Sequence, residues 1–141
     1  HQTYARNLAQ RGEWAFVPGR PSAGSTAPLW SLLLAAGYLL GLGPYLWAYL
    51  LGILLLAALA GLGLWGTGVL APELPRGWRV WGGVLLALEW HTVWAAASGM
   101  ETLLAAVWMT AGLLWMAGGV RRWGALGVFI GLAVWVRPDG L

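Results

Sequence analysis

The run "LWAYLLGILLLAALAGLGLWGTGVL", Leu46–Leu70, carries no charged side chain. A helix of about 20 apolar residues crosses the hydrocarbon core of a bilayer, and this run is longer than that. Its surroundings are alike: from Pro21 to Pro72 there is no Asp, Glu, Lys or Arg. A water-soluble domain needs a charged surface. A chain of 141 residues that is 60% hydrophobic and 9% charged lacks the material for one. Composition therefore assigns the chain to helical membrane proteins. Twelve tryptophans agree, because indole sits well at the boundary between lipid and water.

Outward from this run, Gly and Pro punctuate further apolar stretches at 28–42, 79–97, 101–119 and 123–136. The expected fold is all-α: a polytopic integral membrane helical bundle of about four transmembrane helices plus a juxtamembrane helix. Runs 46–70, 79–97 and 101–119 are long enough to span. Run 123–136 is short, but Arg122 and Arg137 at its ends can snorkel and extend it. Run 28–42 is too short to cross and is read as juxtamembrane or half-inserted, with Thr26 as its N-cap and Pro28 in its first turn. Residues 1–27 form an external loop segment: a short helix from Tyr4 to Gln10, stopped by Gly12, then a Pro/Gly/Ser loop. The remainder, 28–141, is the transmembrane region.

The positive charge is eight arginines and no lysine. They are scattered or paired, which offers no stripe for nucleic acid and reads as a topology signal. Arg76 with Arg79, and Arg121 with Arg122, mark two cytoplasmic loops separated by two spans. Residues 1–27, "SGMET" (98–102) and "RPDGL" (137–141) then share the external face. No cysteine is present, so disulfides and thiolate chemistry are out. No cofactor is expected. A divalent metal is compatible with the external carboxylates, but His1 and His91 have no paired spacing that would indicate one.

Those three external stretches, in that order, resemble bacterial multi-spanning glycosyltransferases of the GT-C fold. These are the polyprenyl-phosphate-sugar-dependent enzymes, including arabinofuranosyl- and mannosyltransferase-like groups. The pattern Tyr-Ala-Arg-Asn-Leu-Ala, Gly, Phe-x-Pro-Gly, Ser/Thr-x-Pro-Leu-Trp falls on Tyr4 to Ala9, Gly12, Phe16, Pro18, Gly19, Thr26, Pro28, Leu29 and Trp30. The likeness covers essentially the whole chain but only the front part of a family member. It implies an inner (plasma) membrane enzyme with its active face external or periplasmic. Its partners would be a lipid-linked sugar donor, membrane lipids and a glycan, lipid or protein acceptor. It also implies a catalytic Asp just upstream of "YARNLA". No Asp stands between His1 and Tyr4, so the resemblance puts that base before His1. Both ends look cut from something longer, and the segment alone is expected to be inactive. Val17 and Arg20 stand where many relatives have Asn and Glu.

Sugar transfer needs a base for the acceptor hydroxyl and a cation for the departing phosphate. Among the external arginines (Arg6, Arg11, Arg20 and Arg137), Arg6 and Arg137 lie in family-like motifs and suit a phosphate best. Snorkelling anchorage at the interface is the more common reason for an arginine at a helix end and would also account for them. With Tyr4, Asn7 and Asp139 they form the candidate substrate-binding set. Asp139 also reads as part of a Pro-Asp-Gly turn. Glu101 is the candidate catalytic carboxylate. It also completes an S-x-x-E capping box with Ser98, which needs no catalysis. Glu89 and His91 are ionisable groups inside run 79–97. On one helix, two positions apart is about 200°, so they are expected to face opposite sides. They favour the alternative function, a non-enzymatic multi-spanning protein such as a transporter or assembly subunit. Against transport, no inverted repeat is visible.

Overall fold

A computed structural model describes residues 1–119 and 121–138. The chain is mostly helical. Its long axis is a 27-residue helix, Pro44–Leu70, which becomes α3 in chain order. Extended Gly43 and Pro44 in the first turn start it. At 1.5 Å per residue it is about 40 Å long. It is the one helix among the described residues long and apolar enough to cross a membrane by itself.

Before it come α1 (Gln2–Arg11), β1 (Ala15–Val17), β2 (Arg20–Pro21) and α2 (Pro28–Leu39). Gly12 closes α1 in the left-handed conformation, φ 68°. β1 and β2 pair antiparallel across the Pro18–Gly19 turn, with an irregularity in register between Ala15 and Val17. After it come α4 (Arg76–Leu88), α5 (Trp90–Ser98), α6 (Thr102–Ala117), α7 (Trp123–Gly131) and α8 (Ala133–Val136).

Small residues let these helices approach α3 closely. A Cβ on Gly63 would stand 2.5 Å from the Gly82 carbonyl oxygen, and one on Gly83 2.6 Å from that of Ala60. Gly52 faces the Ala96 carbonyl with no room for a side chain. These contacts also fix direction. Near its start, α3 meets Ala96 and Gly99; near its end, it meets Arg79, Leu114 and Gly118. The Arg76–Arg79 segment and the end of α6 therefore lie at one end of the bundle. The Ser98–Glu101 turn lies at the other.

The core sits at that second end. Ala5, Ala27, Trp30, Leu34, Ala48, Leu104 and Val136 pack together there, drawn from α1, α2, α3, α6 and α8. Trp30 is 1% exposed, and its indole N–H donates to the Gly99 carbonyl at 3.1 Å. Lower down, Trp108 stacks on Phe129 with centroids 4.3 Å apart and donates to its carbonyl at 3.0 Å.

Several sequence-based expectations need correction. Run 79–97 is not one helix, because it breaks at Glu89, whose backbone is extended (φ −61°, ψ 131°). Polar side chains replace the helical ladder there: Thr92 Oγ1 donates to Leu86 O at 2.6 Å and the Glu89 carboxylate accepts from Thr92 N at 3.0 Å. Run 123–136 keeps its expected bounds as an apolar helical segment, with a turn at Leu132 between α7 and α8. Run 28–42 stops at Leu39, ahead of left-handed Gly41, φ 71°. Thr26 does not cap α2. Ala27 is the N-cap, its carbonyl accepting from Ser31 N, while Pro28 does sit in the first turn. The segment read as Pro/Gly/Ser loop contains the β1–β2 hairpin.

Candidate functional site

Ser31 lies on the face of α2 that enters the core and is fully buried. A buried hydroxyl requires partners. Ser31 Oγ finds them in Ser25 Oγ at 2.9 Å and His1 Nδ1 at 3.3 Å, and Ser25 Oγ is itself 3.4 Å from His1 Nδ1. On the far side of the imidazole, His1 Nε2 is 3.3 Å from Glu101 Oε2. Glu101 is only 7% exposed, held there because Trp30 pins the Gly99 carbonyl just before it. Oε2 is close enough to His1 for an ion pair but makes no aligned hydrogen bond. The result is a line of groups: carboxylate, imidazole, then two hydroxyls. It borders a cavity of about 390 Å³ lined by His1, Tyr4, Phe16, Gly24, Ser25 and Thr26.

The capping box does not form. Ser98 is the last residue of α5, closed by left-handed Gly99 (φ 68°), so it cannot also begin α6. Its hydroxyl donates to Ala95 O at 2.8 Å and accepts from Met100 N at 3.3 Å. Glu101 precedes α6 with helical backbone angles and makes no capping bond. Its carboxylate turns toward His1 instead.

The other expected residues divide. Tyr4 is buried, and its hydroxyl pairs with Ser22 Oγ at 2.8 Å and accepts from Gly24 N at 3.1 Å, shaping the cavity wall. Asn7 is buried too. Its amide donates to the carbonyls of Ala15 (2.8 Å) and Phe16 (3.2 Å), so its nitrogen is committed to fixing the hairpin on α1. Arg6 is exposed on α1. Arg11 and Arg20 are exposed as well, while Gly19 N donates to Glu13 Oε2 at 2.8 Å to tie the hairpin turn. Arg137 lines a groove of about 340 Å³ with Thr102, Ala105, Trp108, Ala133 and Val136. A second hollow of about 220 Å³ shares Trp108, Met109 and Ala133 and continues down α6 to Met116 and Ile130. Asp139 lies outside the described residues.

Glu89 and His91 are together after all, with Oε1 and Nδ1 2.6 Å apart. The expectation of opposite faces assumed an unbroken helix. Both side chains are well exposed, 42% and 86%. Sequence reasoning also passed over His1, Ser25 and Ser31. The signal for them was present: polar residues inside a stretch bordering an apolar helix, with one of only two histidines beside them.

Among the described residues, no group of three or more His, Cys, Asp or Glu side chains is arranged to hold a metal ion. No family model, curated protein or solved structure matches the chain.

Proposed function

We propose that this chain is the front part of an integral-membrane glycosyltransferase that uses a polyprenyl-phosphate sugar on the external face of the inner membrane. One observation carries the reading. The N-terminal polar segment, Glu101 and Arg137 gather at one end of α3, beside a groove walled by Trp108, Met109, Ala133 and Val136. An apolar groove lined in part by an arginine suits a lipid tail ending in a phosphate. The acceptor is a hydroxyl-bearing glycan, lipid or protein.

Support for several crossings comes from helices joined end to end. α4 and α5, of 13 and 9 residues, together reach roughly 33 Å. α6 has 16 residues, and α7 with α8 makes a further apolar segment. The arginines at the opposite end of α3 agree with a cytoplasmic side there. α2, at 12 residues, is short for a crossing and fits a helix lodged at the external surface.

The test is photo-crosslinking of the chain in nanodiscs with a diazirine-bearing polyprenyl-phosphate sugar. Adducts concentrated at Met109 and Ala133, and competed by unlabelled donor, are the expected result. Adducts spread evenly over outward-facing Trp78, Trp81 and Leu85 would sink it. The Glu89–His91 pair favours a second reading, an assembly subunit, because an outward-facing polar pair within a span calls for a neighbouring helix. Protein–protein adducts at Trp90 without donor adducts in the groove would select it.

A further inference from the structure

We propose that Arg76 and Arg79 form a binding site for the headgroup phosphate of an anionic phospholipid, at the end of α3 opposite the Ser98–Glu101 turn. This rests on the membrane-embedded fold and does not depend on sugar transfer. Three observations point to it. A hollow of about 460 Å³ lies where the last turns of α3 meet the first turn of α4, lined by Leu64, Trp65, Gly68, Val69, Arg76 and Arg79. Among the described residues no carboxylate stands within ion-pair distance of either arginine. Glu73 is on the connecting loop but is not part of the lining. The third observation is that one of the two guanidinium groups is already fixed in place.

Arg79 is held from two sides. Its Nε donates to the Leu74 carbonyl at 3.1 Å and its Nη2 to the Pro72 carbonyl at 2.7 Å. Its own carbonyl oxygen is 2.9 Å from Thr67 Oγ1, which ties this turn of α4 to α3. Nη1 lies beside Gly68, where an added Cβ would stand 3.4 Å from it. A guanidinium whose orientation is set in advance loses little freedom when it takes an oxyanion. Arg76 is three positions earlier, hence on the same face of α4, and is exposed to the same hollow. Together they offer charge-assisted N–H donors to a phosphate.

The occupant is a lipid because the rest of the lining is apolar. Leu64 and Trp65 are 48% and 45% exposed, surface that an acyl chain covers and inorganic phosphate does not. α3, at about 40 Å, is longer than a hydrocarbon core of about 30 Å, so its last turns reach the headgroup layer. A basic hollow between helices at that depth suits a net-negative headgroup and repels a choline ammonium.

The test is native mass spectrometry of the full chain in detergent with equimolar phosphatidylglycerol and phosphatidylcholine, with folding checked by circular dichroism. The unaltered chain is expected to retain phosphatidylglycerol about tenfold or more over phosphatidylcholine. Arg76→Gln should cut that preference about fivefold. Arg20→Gln removes the same charge from the hairpin and should leave it unmoved. Gly68→Leu fills the hollow without changing charge and should lower retention of phosphatidylglycerol. Equal retention of both lipids by the unaltered chain, or equal effects of Arg76→Gln and Arg20→Gln, overturns the site. Inorganic phosphate separates the two sources of the anion. Phosphatidylglycerol retained against millimolar phosphate supports the lipid; its displacement, with phosphate alone raising the melting midpoint as much, overturns the lipid assignment. The readout is separate from donor crosslinking in the Arg137 groove. Absent donor adducts there, with phosphatidylglycerol retained through Arg76, remove the glycosyltransferase reading and support this site.

Discussion

Glu89 does two things at once: Oε1 stands 2.6 Å from His91 Nδ1, and Oε2 accepts the Thr92 amide at 3.0 Å. The first contact holds an imidazole; the second caps α5. The cap matters more to the fold, because it satisfies a backbone donor that the break in the helix leaves without a partner. Glu89→Ala removes both contacts, whereas His91→Ala leaves the cap intact. Glu89→Ala is therefore expected to lower the thermal melting midpoint of the detergent-solubilised chain more than His91→Ala. Equal midpoints for the two variants would show that Thr92 Oγ1, bonded to Leu86 O and Glu89 O, holds the break unaided.

Contact between α3 and α5 depends on Gly52 lying against the Ala96 carbonyl. Backbone cannot yield as a side chain can. Gly52→Val should destabilise the chain by about 1–3 kcal/mol, the usual cost of overpacking. Gly61 lies on the same helix, and a Cβ added there would meet nothing within 4 Å. Gly61→Ala should be neutral or stabilise slightly, through helix propensity alone. Chemical denaturation of both variants checks this, and similar losses for the two would argue that helix packing here tolerates separation.

Orientation offers a direct test of the membrane reading. A reporter in 119–123 is expected to be cytoplasmic, beside the Arg121–Arg122 pair, and one at 98–101 external. Cysteine substitutions at these positions, probed with a membrane-impermeant maleimide on intact cells, distinguish the sides cleanly because the chain has no cysteine of its own. Labelling at 119–123 with protection at 98–101 would invert the topology and remove the external site.

The long helix was legible in the sequence because nothing in Leu46–Leu70 competes with helix formation. The same holds for α1, whose end Gly12 announces. Glu89 was not, because apolar residues on both sides preserve the hydropathy of a single span while one carboxylate and one threonine redirect the backbone. The Ser98–Glu101 motif misled for a related reason. Its spacing fits a capping box, but Gly99 in the left-handed region ends one helix before the next begins. The meeting of His1, Ser25 and Glu101 was beyond sequence reading. It depends on α1 lying on α2, and on Trp30 holding Gly99 across 69 positions. Local pattern carries neither.

Arg137 is the residue whose loss should separate donor binding from chemistry. It lines the groove together with Thr102 and Val136. A charge-assisted bond to phosphate contributes about 1.5–3 kcal/mol, so Arg137→Ala should raise donor KM by roughly tenfold or more. Arg137→Lys keeps the charge but loses the planar fork, and is expected to fall between the two. Arg6 is exposed on α1, so Arg6→Ala should also weaken transfer if its guanidinium reaches the same phosphate. Steady-state kinetics of the full-length protein at varied donor concentration decides between these roles. A loss of kcat with unchanged KM in Arg137→Ala would move that arginine from holding the donor to stabilising the departing phosphate.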